Sequence, residues 1–177
     1  MRDVMDDDTK TMLRLKNGER SAFDELYGRF SRKIYNYVLR LAGSAEVSED
    51  ITQEVFVKMY TAARTYEPEA KFSTWLFTIA TNLAINEYHR GRRLEPLEPD
   101  AAHDDALLPD DRTILSDREQ RIMNCMRNLP AGQRTAILLR AYEDMDYSDI
   151  ARVLHTSEKA VKSLLSRARE KLMKVDI

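Results

Sequence analysis

Apolar residues recur along the chain at intervals of three and four, the period of an amphipathic helix, and strand-type alternation is nowhere sustained. Leu13, Phe23, Leu26, Phe30, Ile34, Tyr37, Val38 and Leu41 mark the first helices, with Asn17-Gly18 as a break and Gly43-Ser44 as the stop. The spacing predicts a further helix over 48–63, with Ser48 suited to cap it, and a short loop over 66–71 around Pro68. Another helix is expected from Ser73 to His89, closing at Gly91. Beyond a break, the period returns over 116–128, 131–142, 147–154 and 157–173, with Pro130 near a helix start, where proline is tolerated. The predicted fold class is all-α: two small helical domains, 1–93 and 116–177, joined by a flexible acidic linker, 94–115.

That linker differs in kind from what flanks it. It holds three prolines and seven acidic residues against one base, a net charge of −6, which suits a tether and not a core element. The whole 177-residue chain carries 28 basic and 30 acidic residues, so bulk charge alone does not make it a nucleic-acid binder. Resolved by segment the balance changes: residues 1–93 carry +1, residues 116–177 carry +3, and 155–174 alone holds six bases against two acids. The single cysteine, Cys125, excludes an intrachain disulfide or a cysteine-rich zinc site and reads as core packing on its helix. His89, His103 and His155 have no metal-ligand spacing, and no cofactor or metal is expected. The opening MRDVMDDDTK lacks the apolar run of a signal peptide, and no stretch reaches about 18 apolar residues, so a cytoplasmic protein without membrane insertion is expected. Neither a glycine-rich phosphate loop nor a catalytic triad pattern is present, so the chain does not read as an enzyme.

The carboxy-terminal segment 147–172 reads as a helix, a tight turn and a longer helix. Ile150, Ala151 and Leu154 form one apolar stripe, and Val161, Leu164, Leu165, Ala168 and Leu172 form another; Thr156 or Ser157 can cap the second helix. The opposite face carries Lys159, Lys162, Ser163, Ser166, Arg167 and Lys174. Two short helices at a tight turn, the second with a basic polar face, describe a helix-turn-helix. The major groove admits one helix, whose amino-terminal residues reach base edges while flanking polar and basic residues reach phosphates. Glu158, Lys159, Lys162 and Ser163 are the base-reading candidates, and Ser166, Arg167 and Arg169 the phosphate candidates. On period and charge alone, an ordinary helix pair with a solvated basic face stays open.

In the amino-terminal part, Ile51, Val55 and Met59 make a core face, while Glu49, Gln53, Phe56, Val57 and Tyr60 lie on the other side with Asp50 close by. A stripe mixing acids with large aromatics suits a partner surface, although a second buried seam has the same spacing. Over 71–93, Trp75, Leu76, Ile79, Ala80 and Leu83 form a buried stripe. Thr78, Asn82, Ile85, Asn86 and His89 fall on another face, followed by Arg90, Arg92 and Arg93. Amides and a hydroxyl in a row ending in arginines suit hydrogen bonding to bases and anchoring to phosphate. Nearby aromatics suit single-strand capture, where a stacked base is worth about 1–3 kcal/mol, but Trp75 and Phe77 themselves read as core.

The stretch 128–172 resembles region 4 of the sigma-70 family through Leu129-Pro130, Arg134, Tyr147, Ile150-Ala151, Leu154, Val161-Lys162-Ser163, Leu165-Ser166-Arg167-Ala168-Arg169 and Leu172. Where family members usually have glycine in the turn stands His155, a residue that tolerates left-handed geometry better than branched ones do. DITQEVFVKMY (50–60) and KFSTWLFTIATN (71–82) resemble region 2, and GERSAFDELYGRF (18–30) resembles its opening helix. The larger members' intermediate and acidic amino-terminal domains are missing, as in the extracytoplasmic-function group.

The resemblance implies a sigma factor that gives core RNA polymerase its promoter recognition. It implies that Asp50, Gln53, Glu54 and Phe56 hold the polymerase clamp. It places minus-ten recognition and melting on Lys71, Phe72, Thr78, Asn82, Asn86, His89, Arg90, Arg92 and Arg93, with a base flipped out at the 66–72 loop. It assigns minus-35 recognition to Ser157, Glu158, Lys159, Lys162, Ser163, Ser166, Arg167 and Arg169. Control by an anti-sigma factor and passage of the acidic linker through a basic polymerase channel are further implications. Stretched to about 3.3–3.6 Å per residue, that linker reaches roughly 70–80 Å, about two turns of B-DNA at roughly 34 Å each. A free-standing helix-turn-helix regulator and a helical adaptor that never touches DNA are the competing readings of the residues alone.

Overall fold

The structure, a computed structural model, describes residues 5–94 and 117–174, with side chains described except at 88–94, 117–120 and 123. Among the described residues all regular structure is helical: α1 Asp7–Lys16, α2 Ser21–Ala42, α3 Ala45–Ala62, α4 Phe72–Leu94, α5 Asp117–Arg127, α6 Ala131–Tyr142, α7 Tyr147–Val153 and α8 Glu158–Met173. A 3-10 turn, Ala63–Thr65, follows α3. The acidic linker, apart from Leu94 in α4, lies outside the described residues.

Local chemistry sets the boundaries. Asp6 caps α1 by accepting from the Thr9 N–H at 2.7 Å, so one acid of the opening cluster has a structural task. Helix α2 ends at Gly43, whose φ of +78° is the left-handed stop that glycine takes without a Cβ penalty. Helix α3 begins three residues earlier than its pattern predicts. Ser44, not Ser48, accepts from the Val47 N–H, while Ser48 is buried inside the helix and donates to the Ser44 carbonyl at 2.5 Å. Helix α4 starts at Phe72 and passes through Gly91 to Leu94, so Gly91 is no terminator; glycine within a helix costs only about 0.5–1 kcal/mol relative to alanine.

Helices α1 to α4 pack around Met12, Leu26, Phe30, Ile34, Val38, Val55, Met59, Phe72 and Leu76. Helix α1 also fixes the loop between the 3-10 turn and α4 at both ends. Lys16 Nζ donates to the Tyr66 carbonyl at 2.7 Å, and the Phe72 N–H donates to Thr9 Oγ1 at 3.1 Å. Helices α6 to α8 pack around Leu138, Leu139, Ile150, Val161 and Leu165, with α5 against α8.

The two helical groups also touch each other, α6 against α2 and α7 against α4. Arg134 crosses the first contact. Its guanidinium donates to the Leu41 carbonyl at 2.8 Å and, within its own group, to the carbonyls of Arg127 at 2.7 Å and Leu129 at 3.2 Å.

Candidate polymerase and promoter surfaces

Three surfaces carry the predicted residues. On α3, Asp50, Gln53 and Glu54 are exposed, and Glu54 pairs with Lys58 one turn on at 3.4 Å. Phe56 does not join them. It is 3% exposed, because Phe23 and Tyr27 of α2 close over it, the Tyr27 ring at 4.8 Å between centroids. A side chain so placed supports the patch from beneath and cannot itself grip a partner. The aromatics at the surface are Tyr27 and Tyr60, bridged by Phe23, with exposed Val57 beside Tyr60 on α3. Tyr27 has no counterpart in the α3 pattern, since it comes from a different helix.

The second surface comprises the 66–71 loop and the outer face of α4. Asn82 and Asn86 are exposed and one turn apart, and Thr78 is half-buried with its hydroxyl donating to the Thr74 carbonyl at 2.8 Å. Phe72 is fully buried, packed against Phe30 at 5.3 Å and Trp75 at 5.9 Å, so it cannot stack on a base. Phe77 is core, as its pattern implies, whereas Trp75 is only partly buried and packs on Tyr66 at 5.0 Å. The side chains of His89, Arg90, Arg92 and Arg93 lie outside the described residues, although the α4 backbone carries all four positions.

Lys71 is engaged within the chain. Its ammonium lies 2.7 Å from Asp149 and 3.5 Å from Asp146, both at the start of α7, and the hydrogen bond to Asp149 is the main cause of its raised pKa. Asp146 is held below the usual carboxylate range, first by the Asp149 N–H that it caps, then by the Ser148 hydroxyl. Thr74 donates to the second oxygen of Asp149 at 2.9 Å, and Arg152 donates to the Glu69 carbonyl at 2.9 Å. Between these contacts runs a cleft of about 690 Å³, with Tyr66, Thr74, Trp75 and Thr78 on one wall and Ala151, Arg152, His155 and Thr156 on the other. Lys71 keeps 56% of its side chain exposed, so screening limits its ion pairs to at most about 1 kcal/mol. Residues 78 apart in the chain meet here. Asp146 is the cap of α7 and Asp149 lies in its first turn, and neither is singled out by the sequence pattern.

The third surface is α8. Ser157, Glu158, Lys159, Lys162, Ser163, Ser166, Arg167 and Arg169 are all exposed, while Val161, Leu165 and Ala168 are buried. Ser157 is the cap, accepting from the Ala160 N–H at 3.2 Å. His155 takes the turn at a φ of +50°, the left-handed geometry that its position demands. Cys125 is half-buried with its thiol 3.7 Å from the Lys171 carbonyl.

Comparison with known proteins decides what these surfaces belong to. Residues 26–94 match the family model for sigma-70 region 2, and residues 119–172 match that for sigma-70, region 4. The chain is 32% identical to the RNA polymerase sigma-H factor of Pseudomonas aeruginosa, over 97% of this chain and 94% of that one. It is 31% identical to the ECF RNA polymerase sigma-E factor of Haemophilus influenzae, over 89% of this chain and 88% of that one.

The chain belongs to the extracytoplasmic-function group of the sigma-70 family. It is a sigma factor, the transcription initiation factor through which RNA polymerase recognises promoters. Its fold agrees with that of the sigma factor RpoE, solved in complex with the anti-sigma factor NepR from Bartonella quintana. The TM-score is 0.71 at 24% identity, over 86% of this chain and 95% of that one. The region 2 match runs from within α2 to the end of α4, and the region 4 match from within α5 to near the end of α8.

Proposed function

We propose that residues 1–93 and 116–177 act as the two reading units of the sigma factor, with 94–115 as the strap between them. Asp50, Gln53 and Glu54 grip the polymerase clamp, and the exposed rings of Tyr27 and Tyr60 add apolar contact beside them. Asn82 and Asn86 pair with unstacked bases of the minus-ten element, Lys71 holds the backbone at the 66–71 loop, and Arg90, Arg92 and Arg93 anchor phosphates. Phe72 contributes by holding the loop against α1. On α8, Glu158, Lys159, Lys162 and Ser163 read the minus-35 bases, while Ser166, Arg167 and Arg169 fix the helix on the backbone. The strap, at −6, suits a basic channel in the polymerase.

The observation that carries this assignment is the complete exposure of one polar and basic face of α8 beside a capped start and a left-handed turn. That arrangement presents a helix amino terminus to a groove. The protein works as a binding subunit and not as an enzyme, in the cytoplasm where polymerase works, and among the described residues no helix is long and apolar enough to cross a membrane. Control by an anti-sigma factor belongs to the same reading. Run-off transcription with core polymerase tests the assignment. Wild-type chain supports initiation, and the Asp50→Ala/Gln53→Ala/Glu54→Ala variant loses it while keeping the wild-type melting curve. Undiminished initiation by that variant contradicts the clamp assignment.

A further inference from the structure

Helix α1 lies ahead of the region 2 match, which begins at residue 26, yet it holds both ends of the loop assigned above to the minus-ten element. Thr9 is the first holder. Only 2% exposed, it accepts from the Phe72 N–H at 3.1 Å, and its own hydroxyl donates to Asp6 at 2.9 Å. The Phe72 N–H belongs to the opening turn of α4, where no carbonyl of that helix is in reach. Lys16, in the last turn of α1, is the second holder. Its ammonium donates to the Tyr66 carbonyl at 2.7 Å and to Glu67 at 2.6 Å, at the other end of the loop.

Geometry gives the two contacts a joint meaning. Thr9 and Lys16 stand seven residues apart on one helix, a separation of about 10 Å at about 1.5 Å per residue. The segment 66–72 that they bracket stretches to about 20 Å when unconstrained. Helix α1 is itself fixed. Met12 and Leu15 are buried in the core, Arg14 pairs with Glu25 at 2.9 Å, and Arg29 pairs with Asp8 at 2.7 Å. Tyr66 and Phe72, the two feet of the loop, are buried, whereas Glu67, Pro68, Glu69 and Lys71 between them are exposed. A short exposed arch with its feet held at a set distance has few shapes, and selecting one base over another needs a single shape.

We infer that α1 gauges the minus-ten loop: Thr9 and Lys16 are positioning residues that set the span of the loop and, through it, which base the loop selects. This rests on the sigma-factor reading of that loop. Neither residue acts by touching DNA, since Thr9 is buried and the Lys16 ammonium is engaged by Tyr66 and Glu67.

The test uses holoenzyme reconstituted from core polymerase and the full chain, transcribing linear duplex templates randomised upstream of a fixed reporter. Sequencing the transcribed templates gives base preferences at the minus-ten and minus-35 elements from one reaction. A variant that is merely less stable lowers transcription from every template alike and leaves these preferences unmoved. Thr9→Val keeps the shape of the side chain and removes its hydroxyl; Lys16→Met keeps the stem and removes the ammonium. Each lowers the preference for the favoured minus-ten base by about three- to ten-fold, part of what one read base ordinarily contributes. The minus-35 preference stays at its wild-type value in both. Thr9→Ser, which retains the hydroxyl, keeps the wild-type minus-ten preference.

An unchanged minus-ten preference in either variant overturns the gauge, as does an equal fall at both promoter elements. A Thr9→Ser variant as unselective as Thr9→Val overturns it too. If Thr9→Val folds too poorly to transcribe, Lys16→Met, at a side chain that is 26% exposed, carries the same comparison. The wild-type chain separates the two levels. If it selects a minus-ten base and the variants select it equally well, only the gauge fails. If it yields no core-dependent transcripts, or transcripts without a minus-ten preference, the sigma reading of the loop fails and the gauge with it.

Discussion

The two faces proposed above to read the promoter are built by different means. On α8, Glu158, Lys159, Lys162, Ser163, Ser166, Arg167 and Arg169 stand in solvent above a buried stripe of Val161, Leu165 and Ala168, and the helix alone decides which side chain faces where. On region 2, position is decided by what packs against the loop: α1 pins its ends, Phe72 fills the core beneath, and Asp149 holds Lys71. A helical face is specified by period, whereas a loop face is specified by tertiary contacts between distant residues. Substitutions should therefore act on α8 through DNA affinity and at the buried Phe72 behind the loop through folding.

Phe72→Ala breaks that contrast most severely if it is wrong. Deleting a fully buried ring costs about 3–5 kcal/mol, so urea unfolding should show a large loss of stability in the absence of DNA. A variant of native stability that merely binds DNA less well would return Phe72 to the reading surface.

On α8 the expectation is the reverse. Lys162→Ala and Arg167→Ala leave stability within about 0.5 kcal/mol, as exposed substitutions usually do. Lys162→Ala costs about 1–3 kcal/mol on the cognate minus-35 element, whereas Arg167→Ala weakens all sequences alike and lowers the salt slope by about one. Equal loss on cognate and random DNA for both variants would erase the distinction between base and phosphate contacts.

A smaller effect concerns the junction of α1 and α2. Hydrogen bonds from Arg14 hold the Glu19 carboxyl down at about 2, with the Ser21 hydroxyl assisting. A depressed carboxylate stabilises the fold above its ordinary pKa, and the contribution fades as pH falls through the folded value. Thermal melts of Arg14→Ala should therefore approach wild type as pH falls from above 4.5 towards about 2. A gap independent of pH would assign Arg14 a packing role only.

Much of this was legible in the residues. The helical period located α8 and its buried stripe, Ser157 is the cap of the two candidates Thr156 and Ser157, and His155 is compatible with the left-handed turn that it adopts. The outward face of α3 was legible for Asp50, Gln53 and Glu54 but not for Phe56. The pattern places Phe56 on the outward side of α3 with Gln53 and Tyr60, but the rings of α2 pack over it there and bury it. Ser48 looked like a cap because serine favours caps, yet Ser44 lay directly after the glycine stop and took the role. The pairing of Asp149 with Lys71 was hidden for a simpler reason. Asp149 fits the first turn of α7 so well that its sequence context asks for no second partner.

The difference between an open face and a covered one is most directly measured by energy transfer between dyes on α2 and α8. With Cys125→Ser as background, Asp24→Cys and Glu170→Cys supply exposed attachment points that are not themselves assigned contacts. The account predicts high transfer efficiency in the free chain and a clear fall when core polymerase is added, as region 4 leaves the loop. Efficiency that is low from the start and unmoved by polymerase would contradict it.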